Sequence, residues 1–219
     1  MFDFHIHLTR LPMVTTLAKD LLEAGNGFNT VACEPWEWIR TLKLKNDLEC
    51  WSKKNEGATE KVSYTFGIHP MIANTTEEKD LRLLEVILRS DENFQVGECG
   101  LDKRFEGYDP GGVQERILVR QAELAYQLKR SIQIHCVGDY HRIIQILQKA
   151  GFSNSPDSPT VVFHRFGGDV SVVKAAQNLN AMFSIHKNSF RKKSTLNALA
   201  EIPDELIRIE TDADENFKF

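Results

Sequence analysis

The sequence contains no apolar run that approaches the roughly 20 residues needed to span a bilayer. It also lacks the features of a signal peptide, because the opening Met1-Phe2-Asp3-Phe4-His5 carries an acid and neither a basic segment nor a long apolar stretch. Glycine- or proline-rich linkers and low-complexity blocks are absent as well. We therefore expect a soluble, cytoplasmic protein with no membrane partner, folded as one domain over residues 1–219.

Cysteine is scarce, and basic charge is not in excess. The four cysteines, at positions 33, 50, 99 and 136, show no CxxC spacing, which favours free buried thiols. The 27 basic and 31 acidic residues give a net charge of −4, which argues against a broad cationic surface for duplex DNA. A hydrophobic share of 42% excludes collagen-like and disordered chains. A small cationic pocket, particularly one that holds metal ions, stays compatible with this balance.

Short β-branched or aromatic runs alternate along the chain with stretches of helical periodicity. One such stretch begins at Thr75-Thr76-Glu77-Glu78, which is typical of a capping box, and continues with leucines spaced along one helix face. Strict alternation predicts parallel strands with right-handed crossovers, and eight units predict an α/β fold of the compact TIM-type (β/α)8 barrel. The candidate strands are Phe2–His7, Thr30–Cys33, Val62–Ile68, Phe94–Gly97, Ser131–His135, Thr160–His164, Ala181–Ile185 and Arg208–Thr211.

The two ends of this pattern carry further expectations about the helices. The segment from Trp36 to Lys61 is longer than one helix needs, so it has room for an elaborated second helix. The sequence stops eight residues after the last predicted strand, at Phe219. We therefore expect a barrel that lacks the final helix and leaves one groove of its wall uncovered.

Six of the seven histidines fall at the ends of predicted strands, and His141 is the exception. Catalytic groups of eight-stranded parallel barrels sit at the carboxyl ends of the strands, so these histidines are expected at one mouth. His5 and His7 are two residues apart on a strand and point to the same face. An isolated His-x-His pair would equally suit two surface histidines, so the interpretation depends on the other residues around the mouth.

Two carboxylates accompany the histidines. Glu98 lies in what we interpret as a glycine-flanked turn, and Asp212 follows the last strand. Taken alone, the first would suit a turn carboxylate that pairs with a cation, and the second a surface acid. Together with His5, His7, His135 and His164 they provide donors for one or two divalent cations. The nitrogen-rich set favours zinc or another transition metal, and magnesium and manganese stay open.

At this point the residues resemble a known family, the TatD-type metal-dependent deoxyribonucleases, which belong to the amidohydrolase-like barrels. The resemblance extends from Asp3 to Ala213, and each motif is short, so the specificity lies in their order. The motifs are Asp3-Phe4-His5-Ile6-His7, Gly67-Ile68-His69-Pro70, Gly97-Glu98-Cys99-Gly100-Leu101-Asp102, Ile134-His135-Cys136, Phe163-His164-Arg165-Phe166-Gly167-Gly168 and Glu210-Thr211-Asp212-Ala213.

The resemblance implies a two-metal hydrolase of phosphodiester bonds that acts through a metal-activated water. In such an enzyme one ion would be held by two histidines of the first strand and the last aspartate, and a second by the histidines that end strands five and six. Glu98 would bridge the ions or complete a shell, and Gln114 and Gln121 would be structural. Carried over by position, the metal ligands are His5, His7, Glu98, His135, His164 and Asp212, and the catalytic residues are Asp212, Glu98 and His69.

Departures from the family pattern concern the substrate more than the metal. Val137 stands where an arginine often follows, and Arg165 is placed to restore that cation. We expect His69, Arg165 and Lys187 to neutralise the substrate phosphate. His186 could do the same, although we favour a local hydrogen-bond donor. Trp36, Trp38 and Phe105 could stack on bases, but ordinary packing is the favoured interpretation.

Three functions stay open from the sequence. The favoured one is a 3'-5' exonuclease-like deoxyribonuclease whose partner is single-stranded nucleic acid or strand ends. The second keeps the metal site but hydrolyses carbonyl substrates, as an esterase, lactonase or deacylase. The third is a truncated, non-catalytic barrel that acts through a partner, with a homodimer through the uncovered wall as one form.

Overall fold

A computed structural model describes residues 1–53 and 58–216 of the chain. Eight strands form one parallel sheet in which neighbours follow chain order from the first to the eighth, so every connection is a crossover to the adjacent strand. The strands are β1 (Phe2–Ile6), β2 (Gly27–Ala32), β3 (Val62–Phe66), β4 (Gln95–Asp102), β5 (Ile132–Val137), β6 (Val161–Phe163), β7 (Ala181–Ile185) and β8 (Ile207–Ile209).

Helices occupy the connections and pack on the outside of the sheet. The backbone N–H of Asp212 donates to the carbonyl of His5 over 2.9 Å, and that of His7 donates to the carbonyl of Ala213 over 2.9 Å, so the segment after β8 meets β1 and the barrel nearly closes. The predicted (β/α)8 architecture is confirmed. The α-helices are α1 (Val14–Glu23), α2 (Pro35–Ser52), α3 (Glu78–Ser90), α4 (Val113–Leu128), α5 (Tyr140–Lys149), α6 (Val170–Ala176) and α7 (Lys193–Leu199).

The helix α3 shows how local sequence determines these elements. Its capping box lies two residues later than predicted, because Glu77, and not Thr75, is the N-cap and pairs with Asp80, which satisfies backbone N–H groups of the first turn. Leu84 and Leu88 are fully buried against the sheet and lie on one face of the helix. The expected helix is therefore present, and it packs into the larger of two apolar clusters that fill the space between sheet and helices.

The strand β4 differs from its prediction, and this difference positions the site. It runs on to Asp102, so the interpretation of Gly97–Gly100 as a turn is wrong: Glu98 lies within the strand. Glycine makes the extension possible, because a Cβ at Gly100 would lie 1.8 Å from the carbonyl oxygen of His135 and one at Gly97 would lie 2.5 Å from that of Gln133. Without those Cβ atoms, β4 approaches β5 closely and pairs with it from Val96 to Asp102, with one irregularity of register between Val96 and Cys99.

The two predictions about helix content fare differently. α2 is a single 18-residue helix, and residues 54–57 of the segment expected to elaborate it lie outside the described part of the chain. Residues 210–216, after β8, contain no helix, as expected, and residues 217–219 of the expected gap are not described. An apolar pocket of about 260 Å³ opens there between α1, β1 and the segment after β8. Across the described ranges, every helix is too short or too polar to cross a lipid bilayer.

Candidate metal centre and active site

Glu98 is the centre of the cluster at the carboxyl ends of the strands, and its side chain is almost completely buried. Oε1 lies 2.5 Å from Nδ1 of His135, which lies within β5. The same oxygen lies 3.5 Å from Nε2 of His164, which follows β6, and 3.6 Å from Nε2 of His69, which follows β3. One oxygen of a single carboxylate therefore faces three imidazoles from three strands.

The second oxygen of Glu98 faces the histidines of β1. Oε2 lies 3.2 Å from Nε2 of His5 and 3.6 Å from Nε2 of His7. The thiol of Cys33, just after β2, is 3.7 Å from the same oxygen and is fully buried. Since the two oxygens address different imidazole sets, Glu98 has the arrangement of a bridging carboxylate.

Asp212 approaches two of the same imidazole nitrogens as Glu98. Its Oδ1 is 3.6 Å from Nε2 of His7 and 3.7 Å from Nε2 of His164, and its Oδ2 accepts a hydrogen bond of 2.6 Å from Arg165. The backbone of Asp212 is left-handed at φ 51°, which turns its side chain toward the mouth. Asp3 fixes this segment from β1, because its carboxylate accepts hydrogen bonds from the backbone N–H and the hydroxyl of Thr211.

A second layer of hydrogen bonds orients three of the imidazoles. Nδ1 of His5 donates to Oε1 of Gln133 over 2.7 Å, and Nδ1 of His7 donates to the carbonyl of Val31 over 3.2 Å. Nδ1 of His164 donates to Glu210 over 3.0 Å. Each contact directs the other ring nitrogen, Nε2, toward the carboxylates, as is usual for metal-ligating histidines.

His69 is held in one tautomer by its own backbone surroundings. Its Nδ1 accepts a hydrogen bond of 3.0 Å from the backbone N–H of Met71, so the ring proton resides on Nε2. Burial lowers the pKa of His69 to about 3, which keeps the ring neutral at physiological pH. His69 therefore presents a neutral N–H donor to the cluster, 3.2 Å from Nδ1 of His135.

At His5 and Glu98, burial and neighbouring charges shift the pKa in opposite directions. Burial lowers the pKa of His5, but the carboxylates of Glu98, Glu210 and Asp212 outweigh it and raise that pKa to about 9. Burial raises the pKa of Glu98, yet the surrounding imidazoles hold it well below its ordinary value. The free protein thus balances buried carboxylates with protons on imidazoles, and a cation could replace those protons.

The residues present fit a metal ion. Nε2 of His5 is buried and makes no hydrogen bond, although Glu98 Oε2 is only 3.2 Å away. A buried polar nitrogen that faces a carboxylate without making a hydrogen bond is stabilised incompletely, and a coordinated cation would complete its interactions. Donor atoms of His5, His7 and Asp212 lie within 4.8 Å of one another, which is close enough to share one ion.

The site residues predicted from the sequence separate into two groups. The larger group comes together around Glu98 and its two carboxylate oxygens. Its other members are His5, His7, His69, His135, His164 and Asp212. Arg165 reaches Asp212, while Lys187 is exposed in the segment after β7, and the phosphate roles of both stay predictions. Gln114 and Gln121 bind backbone groups after β4 and β3 and are structural, as expected.

One minor interpretation needs correction, and another is confirmed. Nδ1 of His186 accepts a hydrogen bond from the backbone N–H of Asn188, so this ring is a local acceptor where we expected a donor. Trp38 is fully buried, with its indole N–H bonded to the carbonyl of Gly67, so it cannot stack on a base. Packing, the favoured interpretation of this ring, is confirmed.

Sequence reasoning missed four groups that surround the ligands. Asp102 holds the ring of His135, Gln133 holds that of His5, and Glu210 holds that of His164. The fourth group, Cys33, lies against Glu98. Asp102 and Glu210 belong to the same short motifs as the ligands Glu98 and Asp212, so a role beside the ligands could have been predicted from the sequence. Gln133 is two residues before His135 on one strand and therefore shares its face, which was a signal too.

Fold and site together define a class of protein. Histidines and carboxylates that converge at the carboxyl ends of a parallel eight-stranded barrel are typical of metal-dependent barrel hydrolases. The model of the TatD related DNase family matches residues 2–215. The chain belongs to this family.

Individual relatives agree with this assignment. The 3'-5' ssDNA/RNA exonuclease TatD of Edwardsiella piscicida is 32% identical over 225 residues, covering 97% of this chain and 79% of that protein. The human 3'-5' RNA nuclease TATDN2 is 30% identical over 152 residues, which cover 68% of this chain and 19% of that protein, so the match spans about a fifth of its length.

A solved structure supports the fold. The TatD homolog YJJV of Escherichia coli superposes with a TM-score of 0.76 at 21% identity, covering all of this chain and 81% of that one. At this identity the likeness concerns the barrel architecture alone.

Proposed function

We propose that the chain is a metal-dependent nuclease that hydrolyses phosphodiester bonds of single-stranded nucleic acid from the 3' end, acting as one barrel domain. The observation that carries the proposal is the arrangement around Glu98, whose two oxygens face separate sets of imidazoles. Family membership supports the reaction class. The relatives named 3'-5' nucleases support the polarity and the single-stranded substrate.

The donor set supports two cation positions. His5, His7 and Asp212 would hold one ion, His135 and His164 the other, and Glu98 would lie between them. Bound divalent ions would supply a nucleophile near neutral pH and neutralise charge on the phosphate. The imidazole-rich set favours zinc or another transition metal, with magnesium and manganese as the alternatives.

The chain's own residues would have separate roles in the reaction. Oδ1 of Asp212 faces the histidines, where it can accept a proton from the attacking water. Nε2–H of His69 is a neutral donor toward a phosphate oxygen or the leaving group, because Nδ1 is already engaged by Met71. Arg165 and Lys187 are the cations proposed to neutralise the phosphate, and Arg165 is already at the mouth through Asp212.

Chelation and reconstitution test the proposal. Protein stripped of metal should lose cleavage of a 3'-labelled single-stranded oligonucleotide, and zinc, manganese or magnesium should restore it. Asp212→Asn should abolish cleavage by the reconstituted protein, whereas His141→Gln should leave it unchanged, because His141 is exposed and bonds only to Ser171 among the described residues. Reconstituted protein that leaves all oligonucleotides intact while hydrolysing carbonyl esters would overturn the proposal.

The same proposal includes a cytoplasmic location and a homodimer. All four cysteines are free thiols, which supports a reducing compartment, although Cys50 is exposed and was expected to be buried. The apolar pocket beside α1 supports dimerisation through the barrel wall. Sedimentation equilibrium should give a dimer for the unmodified chain and a monomer for Leu17→Glu, which places a charge in that pocket; a monomeric unmodified chain would contradict it.

A further inference from the structure

A cleft of about 420 Å³ opens directly beside the metal-ligand cluster. His135 and His164 form one end of it, and its walls come from the segments that follow β4, β5, β6 and β7. Five cationic side chains line it, and no Asp or Glu is among its lining residues. The cations are Lys103, Arg104, Arg165, Arg191 and Lys192.

This concentration of positive charge contrasts with the chain as a whole, whose net charge is −4. A cleft lined by one sign of charge focuses the field and raises the local concentration of ligands of the opposite sign. The ligand that fits is therefore an anion, and one that can also reach His135 and His164 at the end of the cleft.

The five cations are not equivalent. Arg104 pairs with Asp102 at 2.5 Å, and Arg165 pairs with Asp212 at 2.6 Å, so both are partly neutralised by carboxylates of the cluster. Within the described residues, the side chains of Lys103, Arg191 and Lys192 form no ion pair and no hydrogen bond. These three are exposed and carry uncompensated charge along the walls.

The cleft offers no aromatic face to a base. Tyr140 and Phe166 line it, but both rings are buried, with 8% and 0% exposure. Single-strand binding proteins that hold bases do so by stacking them on exposed aromatic rings, while cations follow the backbone. The lining of this cleft therefore suits phosphates and not bases.

We propose that Lys103, Arg191 and Lys192 form a subsite for the phosphate backbone of the strand that extends away from the scissile bond. With one contact for each uncompensated cation, it would hold about three phosphates. Because the cleft does not stack bases, it makes binding independent of sequence and accepts DNA and RNA alike. This inference rests on the proposed nuclease function, since it needs a phosphodiester strand as substrate.

The experiment measures binding without cleavage. Protein kept in chelator is titrated with fluorescently labelled oligothymidylate, and the affinity is followed by anisotropy at several salt concentrations. Lys103→Gln, Arg191→Gln and Lys192→Gln should each weaken binding about two- to fivefold at low salt. Each should also reduce the slope of log affinity against log salt by about 0.7, the value for one lost contact to a single strand.

Lys174→Gln is the matched control. Lys174 is exposed on α6, undergoes the same change of charge, and does not line the cleft. The binding affinity of Lys174→Gln, and the slope of its log affinity against log salt, should equal those of the unmodified protein. An equal loss of binding affinity in Lys174→Gln and the cleft variants, or no loss of affinity in the cleft variants, would overturn the proposal.

A comparison of bases tests the backbone assignment. Oligoadenylate and oligouridylate should bind within about threefold of oligothymidylate, and a strong base preference would contradict the backbone assignment.

Cleavage assays on the same proteins separate this inference from the function on which it rests. If the unmodified protein binds with the expected slopes but does not cleave when loaded with metal, the nuclease proposal fails and the subsite stands. If it cleaves, and the three variants bind and cleave like the unmodified protein, the subsite fails and the nuclease proposal stands.

Discussion

Asp102 Oδ2 lies 2.8 Å from Nε2 of His135, on the opposite edge of the ring from the nitrogen that meets Glu98. Both ring nitrogens therefore face carboxylates, and the pair raises the pKa of His135 to about 9 against the opposing effect of burial. Arg104 in turn donates to both oxygens of Asp102 and fixes the carboxylate. Asp102 thus retains the proton on Nε2 and leaves Nδ1 for a cation.

Asp102→Asn should weaken metal binding about 10- to 100-fold, the range usual for loss of a group that orients a histidine ligand. The amide keeps the size of the side chain but removes the charge that holds the ring proton. Calorimetric titration of the metal-free protein measures the effect. Asp109→Asn, an exposed aspartate outside the cluster, should bind metal normally. Equal affinity in Asp102→Asn and the unmodified chain would contradict the positioning role.

Glu98→Gln should remove a ligand shared by both proposed ions. An amide has one uncharged oxygen and cannot offer a charged oxygen to each of two ions, so we expect metal affinity to fall by more than about 100-fold, beyond the effect of an outer-shell partner. Elemental analysis after dialysis should show a loss of both ions. Retention of one tightly bound ion would show that Glu98 serves a single site and would contradict the bridge.

The sequence allowed much of this arrangement to be predicted, for physical reasons. Alternation of strand and helix patterns depends on local periodicity, so the eight strands were found, with bounds shifted by a few residues. The mouth residues followed from one rule about strand ends. In a parallel barrel, residues that follow different strands lie close together at one mouth even when they are far apart in the sequence, as His5 and Asp212 do.

The parts that were missed depend on contacts between strands. Glu98 was assigned to a turn because glycine on both sides is typical of turns, and only the close approach of β5 shows that the strand continues. Glu210 and Asp102 were seen within motifs, but their roles depend on which ring nitrogen each one meets. Such distances are set by packing across the barrel and leave no periodic pattern in the sequence.

Two tryptophans near the start of α2 offer a matched test of packing. Trp38 is fully buried and donates to the carbonyl of Gly67 over 3.0 Å, whereas Trp36 is 45% exposed. Trp38→Phe removes the hydrogen bond and leaves a buried carbonyl oxygen without this donor, so it should lower the free energy of unfolding by about 1–3 kcal/mol. Trp36→Phe should change it by less than about 0.5 kcal/mol. Urea denaturation measures both, and equal effects would contradict the difference in burial.

Metal binding should release protons and strengthen with pH. In the metal-free protein the pKa values of His5 and His135 are both raised to about 9, so both rings are protonated at pH 7. A cation binds only the neutral ring, and each ligand must lose a proton. Affinity should therefore rise from pH 6 toward about pH 9 and level off above it, because the competing protons are then gone.

Titration calorimetry in two buffers of different ionisation enthalpy counts the protons released at pH 7. We expect about two protons per protein, and close to none near pH 10, where His5 and His135 are largely neutral. His141→Gln should release the same number, since its ring lies outside the cluster. The opposite trend, with affinity falling as pH rises from 6 to 9, would show that these imidazoles are not displaced by the cation and are not its ligands.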